Sequence, residues 1–599
     1  MTTAIIALTA SALKTAEAIR AHVPGAQIHG LSKRVEGADI AFDDTMAHLR
    51  GLFDDGVTII GICASAILIR AVAPSLANKR EEPPVLAVAE DGSSVVPLLG
   101  GHRGANKLAR DLATHLGAPA AVTTAGDLSL GFSLDEAPDG WTVANPAVMK
   151  PVTAALLAGE PVALVVEAGD ESWPPAAPFA APTEQTAYRV LVTDKAGCED
   201  DHTLVVHPPV LALGVGCERN APAGGLTAFV REQLAEAGLA EGAIAAIGSI
   251  DIKADEAAMH DLQKTLGKPF RVFDAATLDR QASRLANPSD VVFSETGCHG
   301  VAEGSALTLA GDAGELTLPK RKDAKHTMAI ARAPQIDLTD KGRDRGLLYV
   351  VGIGPGVDGW RTAEAVRMLR DADEIVGYQL YLDLCADLIA GKPTHHSDLG
   401  KEEARARRAI ELAAEGRKVA LVCSGDPGIY ALATLVFELI DRADDRAWNG
   451  VEVVTAPGIS AFQAAAARIG APINHDFCTI SLSDLLTQRE AILKRLNAAG
   501  EGDFVISFYN PQSLRRRTLL PEAKEILLKH RPDSCPVLIA RNLGREDETI
   551  TVTTLADFDP SVVDMLTLVM IGNSETRWIN RAGRNIVYTP RGYAKKMED

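Results

Sequence analysis

Three short segments place glycine and proline, with small polar or acidic residues, at the end of apolar runs. They are Gly352-Ile353-Gly354-Pro355-Gly356 after LLYVV, Ser424-Gly425-Asp426-Pro427-Gly428-Ile429-Tyr430 after KVALVC, and Pro457-Gly458-Ile459-Ser460-Ala461 after EVVTA. Glycine permits positive φ and lets a ligand approach main-chain N–H groups closely. The same residues also make ordinary strand-to-helix turns, and each segment alone carries both readings. The first segment is not a dinucleotide fingerprint. That would run G-x-G-x-x-G with an acidic residue about 20 positions on, and Pro355 breaks the pattern. Together the three corners would crowd one edge of a sheet.

Charge sets the next requirement. The formal charge is -19 and the pI about 5.3, so the surface as a whole repels polyanions and excludes a nucleic-acid footprint. An anionic ligand therefore needs a locally basic pocket. Arg515, Arg516 and Arg517 follow FYNPQSL, and Arg541 and Arg545 follow the next apolar run. Arginine grips carboxylates bidentately, although the same residues also suit a solvated helix face. Lys401, Arg405 and Arg408 sit at helical spacing beside Glu402 and Glu403, which predicts surface ion pairs.

In the first half, Gly100-Gly101-His102-Arg103-Gly104-Ala105-Asn106 lies between a strand-like and a helix-like segment. Its backbone donors, imidazole and guanidinium would cradle a carboxylate, with a glycine-rich turn as the plain alternative. Cys217-Glu218-Arg219 and the stretch Glu295 to Glu303, with Cys298 and His299, raise a thiolate nucleophile or a metal site. Adjacent Cys and His in an unpaired pattern are usually neither, and no metal is expected. Eight scattered cysteines without a CxxC pair argue against zinc clusters and disulfides, and so for a reducing cytoplasm.

These groups must be held by a modular α/β scaffold. At 599 residues, 47% hydrophobic, with 51 glycines and a mean hydropathy near zero, the chain exceeds any single core. Apolar strands alternate with helical segments over 1–138. The stretch 139–208 turns Pro- and Ala-rich, with WPPAAPFAAPTE at its centre, and reads as an irregular insert or linker domain. A new α/β unit covers 209–333, the polar run PQIDLTDKGRDRG over 334–346 reads as a linker, and 347–599 resumes βα patterning in what would be two stacked lobes. The N-terminus reads as strand then helix and not as a cleavable signal, and no apolar run reaches the roughly 20 residues that span a bilayer. No membrane partner is expected.

The order and spacing of the three corners resemble the tetrapyrrole methylase family. GDPGIYALA, TAPGISAFQAAAARIGAPINHDFCTISLSD and ISFYNPQSLRRR are similar to its precorrin-3B C-17 branch, from Leu347 to about Tyr593. The resemblance implies an S-adenosylmethionine-dependent C-methylation with ring contraction to precorrin-4, S-adenosylhomocysteine as product, and a homodimer. The cofactor would lie between two α/β lobes against Gly354, Pro355, Gly425, Asp426, Ile429, Ser460, Ala461, Tyr509, Asn510 and Gly572. His395 and His475 would assist the proton shifts of ring contraction, with Arg515 beside them at the substrate. A different ring position, or a siroheme-type uroporphyrinogen methylase, would share the same loops.

The first 333 residues resemble the CbiG-type family of cobalamin synthesis, through GICASAILIRAVAPSLANK, LLGGHRGAN, VTTAGD, GVGCERNAP and TLPKRKDAKHTMAIARA. That resemblance implies opening of a precorrin lactone with release of acetaldehyde, with His102, Arg103 and Asn106 contacting the substrate. The alternative is a non-catalytic module that binds and channels a labile intermediate.

Overall fold

A computed structural model describes residues 3–593 except 24, 78–81, 125–129, 131, 133, 135–136, 170–172, 176–177, 184–185, 399 and 514–515, and of His102 the backbone alone. The chain divides into two compact units, Met1–Arg345 and Gly346–Asp599.

The first unit carries three sheets. β1 (Thr3–Ala7), β2 (Gln27–Leu31), β3 (Ile40–Phe42), β4 (Thr58–Ile62), β5 (Val85–Val88) and β6 (Val95–Leu99) form a six-stranded sheet in the order β3-β2-β1-β4-β5-β6. All neighbours run parallel except β5 and β6. Helices Ala12–His22 and Ala105–Leu116 cover one face, and Thr45–Asp54 and Ser65–Val72 the other. Burial on both faces explains the continuous apolar run of β4.

The second sheet is β7 (Thr142–Val143), β8 (Val162–Val166), β9 (Tyr188–Val192) and β10 (Thr203–His207), ordered β7-β10-β9-β8. This corrects the expectation of an irregular insert. VALVV, YRVLV and TLVVH pair in parallel, while the Pro-rich run lies between β8 and β9 and meets the ladder at Ala180, which bridges Ala163 on β8.

The third sheet holds β11 (Leu211–Cys217), β12 (Ile244–Ile250), β13 (Phe270–Phe273), β14 (Glu315–Lys322), β15 (His326–Arg332) and β16 (Arg343–Asp344), in the order β14-β15-β11-β12-β13-β16. The last strand falls inside the stretch expected to be a linker. Arg343 and Asp344 pair with Val272 and Arg271, Lys341 Nζ donates to the Leu309 carbonyl at 2.6 Å, and Ile336 and Leu338 pack on the core. A two-residue edge strand held by main-chain bonds leaves no hydrophobic period in the sequence.

In the second unit, β17 (Leu347–Gly352), β18 (Glu374–Tyr378), β19 (Thr394–Ser397), β20 (Lys418–Cys423) and β21 (Glu452–Ala456) form an all-parallel sheet, ordered β19-β18-β20-β17-β21. Helices Glu402–Ala414 and Leu432–Ala443 pack on one face and Ala363–Asp371 on the other. After β22 (Gly470–Ala471), a second lobe is built from β23 (Phe477–Ser481), β24 (Val505–Tyr509), β25 (Pro536–Arg541), β26 (Thr549–Thr554) and β27 (Thr567–Ile571), ordered β23-β24-β27-β25-β26. β23 runs parallel to β24 and the remaining pairs are antiparallel. β28 (Arg577–Arg581) and β29 (Arg584–Tyr588) join β22 in a small third sheet. Among the described residues no helix is long and apolar enough to cross a membrane.

Candidate active site

Strand order brings the three glycine corners together. β17 lies between β20 and β21, Gly352 is level with Cys423, and Val351 with Ala456, so all three chains leave the sheet at the same edge. Beyond that edge they interlock through main chain. Gly425 N–H donates to the Gly354 carbonyl at 2.8 Å, and Gly354 N–H to the Gly425 carbonyl at 3.3 Å. Both residues adopt positive φ, +75° and +69°, which is why glycine occupies them. A Cβ on Gly458 would collide with the Gly425 carbonyl and approach Gly352 C at 2.9 Å. The Asp426 carboxylate ties the second corner to the third: Oδ1 accepts from Gly428 N at 2.8 Å and Oδ2 from Gly458 N at 3.2 Å.

The interlock leaves a cradle. A Cβ placed on Gly425 would meet no atom closer than the Ile459 carbonyl at 3.9 Å and Ser460 Cα at 4.0 Å. Ile429, Ile459, Ala461 and Tyr509 pack as partly buried neighbours at one margin of the second-lobe core. The Tyr509 hydroxyl accepts from Phe462 N at 3.3 Å, and burial pushes its pKa up, so it stays protonated. Asn510, at φ +48°, donates to Ser481 Oγ at 3.2 Å. Pro355 is held from the second lobe, its carbonyl accepting from Arg545 Nε at 3.4 Å.

Sequence reasoning missed the residues that bridge the lobes. Tyr430, at φ +51°, donates its hydroxyl to the Thr479 carbonyl at 2.9 Å and tilts against the Tyr509 ring at 5.2 Å. Trp360 carries the Arg468 guanidinium at 4.3 Å above its ring, and Arg468 pairs with Glu548 at 2.7 Å. The signal for Tyr430 was present in GDPGIY, where a tyrosine directly after the turn is placed to reach across it.

Several expected site residues lie elsewhere. Gly572 does not join the cradle. β27 runs antiparallel to β24, so Gly572 follows Ile571, which pairs with Ile506, and its N–H bonds the Pro536 carbonyl at 3.0 Å. It sits at the opposite end of the sheet from Tyr509, about 13 Å away at 3.3 Å per residue. His395 is likewise corrected. On edge strand β19 its Nε2 pairs with Glu374 at 2.5 Å, and Glu374, also paired with Arg417, is level with Val419 and not with the corners. Burial and then the Arg408 charge lower the His395 pKa, so the imidazole is neutral near pH 7. His475 precedes β23, its Nδ1 accepting from Asp476 N at 2.8 Å, at the amino end of a strand whose carboxyl end, Ser481, faces Tyr509. Arg515 lies outside the described residues.

Of the basic clusters, Arg541 is paired with Asp564 at 2.9 Å, and Arg516 directs Nη2 at the Met565 sulfur at 3.9 Å. Lys401 pairs with Asp398 at 3.3 Å as a surface residue should. Arg405 contradicts the expectation of surface pairing, because it is only 5% exposed and packs beneath Tyr378.

In the first unit, Gly100 and Gly104 take positive φ around the short turn Gly101–Arg103, and Asn106, buried, donates to Thr124 Oγ1 at 3.1 Å. The His102 side chain is outside the description. Burial, and after it the Glu256 charge, push the Cys217 thiol up to about 11, far from a thiolate. Cys298 is fully buried, and His299 Nδ1 is held by Asp279 at 2.7 Å. Glu303, also buried, accepts from Ala286 N, Asn287 N, Asn287 Nδ2 and Lys320 N, a saturated carboxylate that ties the 286–287 loop to β14. No group of three metal-ligating side chains occurs among the described residues.

The all-parallel lobe with glycine corners at neighbouring strand ends defines a doubly wound α/β ligand-binding unit joined to a second α/β lobe. Comparison with known proteins gives the family. Tetrapyrrole (Corrin/Porphyrin) Methylases match residues 347–559. Cobalamin synthesis G N-terminal, central and C-terminal regions match 47–127, 137–208 and 211–331. The precorrin-3B C(17)-methyltransferase of Sinorhizobium sp is 46% identical over 250 residues, 42% of this chain and 98% of that protein. The cobalamin biosynthesis protein CobIJ of Mycobacterium tuberculosis is 42% identical over 260 residues, 42% of this chain and 50% of that relative, so the chain spans half of that relative's length. A crystal structure of the methyltransferase CobJ is 41% identical, covers 41% of this chain and 100% of that one, and superposes with a TM-score of 0.39. The chain belongs to the tetrapyrrole methylase family through its second unit, fused behind CbiG-type modules of cobalamin synthesis.

Proposed function

We propose that the second unit methylates C-17 of precorrin-3B with ring contraction to precorrin-4, using S-adenosylmethionine, and that Gly354, Pro355, Gly425, Asp426, Ile429, Ser460, Ala461, Tyr509 and Asn510 hold the methyl donor. The observation that carries this reading is the interlock of Gly352, Gly425 and Gly458, which leaves an open cradle over Gly425. S-adenosylmethionine, when bound, supplies an electrophilic methyl group whose leaving thioether is neutral. The chain's own work is therefore positioning more than proton transfer. Asp426 fixes the second corner against the third, Tyr430 ties the corner to β23, and Ile429, Ile459 and Tyr509 exclude water from one wall. Cys423, directly below, has its thiol pushed up to about 12 by burial and offers no competing nucleophile.

The deciding experiment incubates the full chain with S-adenosylmethionine and either precorrin-3B or uroporphyrinogen III, followed by mass analysis and calorimetric titration with S-adenosylhomocysteine. Gain of one methyl on precorrin-3B alone supports the reading. Methylation of uroporphyrinogen, or no affinity for S-adenosylhomocysteine, refutes it.

For the first unit, we infer binding of a cobalamin precursor, with lactone opening as the catalytic alternative at His102, Arg103 and Asn106. Acetaldehyde release from a lactone-bearing precorrin separates the two: release establishes hydrolysis, and tight binding without it establishes a carrier. A homodimer and a cytoplasmic location complete the proposal, the former checked by light scattering.

A further inference from the structure

Arg405 is the anomaly of the second unit. It lies one turn into helix Glu402–Ala414, whose amino end must stand at the carboxyl edge of the parallel sheet because the helix returns the chain from β19 to β20. It is 5% exposed, and Nε and Nη1 are sealed from solvent with no hydrogen-bond partner. Among the described residues its ring neighbour is Tyr378, the last residue of β18, 6.0 Å from the guanidinium carbon. Glu402 and Asp426 share its surroundings, since their charges and that of Arg405 all act on Cys423, yet among the described residues no carboxylate forms an ion pair with Arg405. A buried cation without an acceptor is costly, and proteins retain one where a ligand completes it.

A second guanidinium reaches the same sheet edge from the other lobe. Arg545 reaches the Pro355 carbonyl of the first corner, and among the described residues it forms no ion pair with a carboxylate. Tyr381, just beyond β18, is raised in pKa by burial while both Arg545 and Arg405 act on its hydroxyl in the opposite sense, Arg545 the more strongly. Two guanidinium groups without a carboxylate ion pair among the described residues thus stand near Tyr381 at the ligand edge of a chain whose net charge is -19.

We propose that Arg405 and Arg545 form a carboxylate-binding subsite that receives acetate or propionate side chains of the tetrapyrrole and so orients the macrocycle against the glycine corners. This rests on the methylase reading. A carboxylate would supply the planar acceptor pair that a guanidinium fork matches, and both charges would be neutralised only when substrate is present.

The test uses the full chain and two stable probes, cobyrinic acid and its methyl ester, which differ in their carboxylates. Wild type should bind the acid at least about 10-fold tighter than the ester. Arg405→Gln should weaken the acid about 10- to 100-fold, the range of a charge-assisted pair, leaving ester and S-adenosylhomocysteine affinities unchanged. Arg405→Lys should restore part of the acid preference, and Arg545→Gln should lose a smaller share. Equal weakening of acid and ester, or an unchanged acid preference in both variants, overturns the subsite. Should Arg405→Gln not fold, the acid-to-ester ratios of Arg405→Lys and Arg545→Gln decide. A wild type that keeps the acid preference at Arg405 but methylates nothing would fault the methylase reading alone.

Discussion

The two units contain the same device, a parallel strand end opening onto a turn, and finish it in opposite ways. At the end of β11 in the first unit, Arg219 pairs with Asp255 at 2.5 Å and Glu256 at 3.1 Å, and donates Nη2 to the Ile252 carbonyl at 2.9 Å. Glu256, buried, also accepts from Lys253 at 3.2 Å and Asn220 N at 3.0 Å. That corner is filled by its own charges. At the ends of β17, β20 and β21 in the second unit the corner is largely main chain and glycine, and the buried Arg405 guanidinium at that edge forms no ion pair among the described residues. A polar corner that satisfies itself is scaffolding. One that leaves backbone and a buried cation without internal partners is prepared for a ligand.

The comparison breaks most visibly at Gly458. Gly458→Ala forces a methyl group into the Gly425 carbonyl, so the corners cannot close. S-adenosylhomocysteine affinity should fall by at least about 100-fold, and the second unit should lose about 3 kcal/mol or more by denaturant titration. Retained affinity would show that the interlock is not the cradle.

Glu256→Ala attacks the filled corner. It removes one of Arg219's two carboxylates and the partner of Lys253, and should cost the first unit about 2 kcal/mol, because Arg219 is partly solvated and keeps Asp255. Tetrapyrrole methylation by the same variant should be unchanged; a drop in turnover would mean that the filled corner takes part in the reaction.

A pH effect sharpens the same corner. Asp323, in the turn joining β14 and β15 next to Cys217, has its pKa lowered to about 2, chiefly by the His326 side-chain hydrogen bond and also by bonds from Lys325 N and His326 N. Its folded pKa lies below the unfolded value, so its contribution is present above about pH 4 and disappears as the pH falls toward 2. The stability gap between wild type and Asp323→Asn, measured from pH 6 downward, should be under about 1 kcal/mol and close over that interval. A constant gap would remove the ionic explanation.

The smallest effect belongs to His395→Ala. Its partner Glu374 lies away from the corners, so kcat should stay within about 2-fold and its pH profile should not move. A lost ionisation in the kcat profile would return His395 to the proton chemistry.

Much of this was legible in the residues. The corners could be read because parallel strands buried on both faces announce themselves as apolar runs, and because GxGPG, GDPG and PGIS mark where each run turns. What failed depended on direction and neighbours. Gly572 follows an apolar run just as Gly352 does, but an antiparallel strand delivers its end to the far side of the sheet. Arg405, one turn after glutamates, has the spacing of a surface pair, and only the packing of its helix over Tyr378 shows that it is buried. The second sheet of the first unit was hidden by proline and alanine between its strands, and β16 by being two residues long.

Gly356 and Gly544 meet without side chains: a methyl on Gly356 would overlap the Gly544 carbonyl, and one on Gly544 would lie 3.1 Å from Gly356 N. Two peptide planes in such contact can come no closer, and no change of rotamer relieves them. The lobes of the second unit therefore seat against each other there backbone to backbone, and a side chain on either glycine would hold them apart at that point.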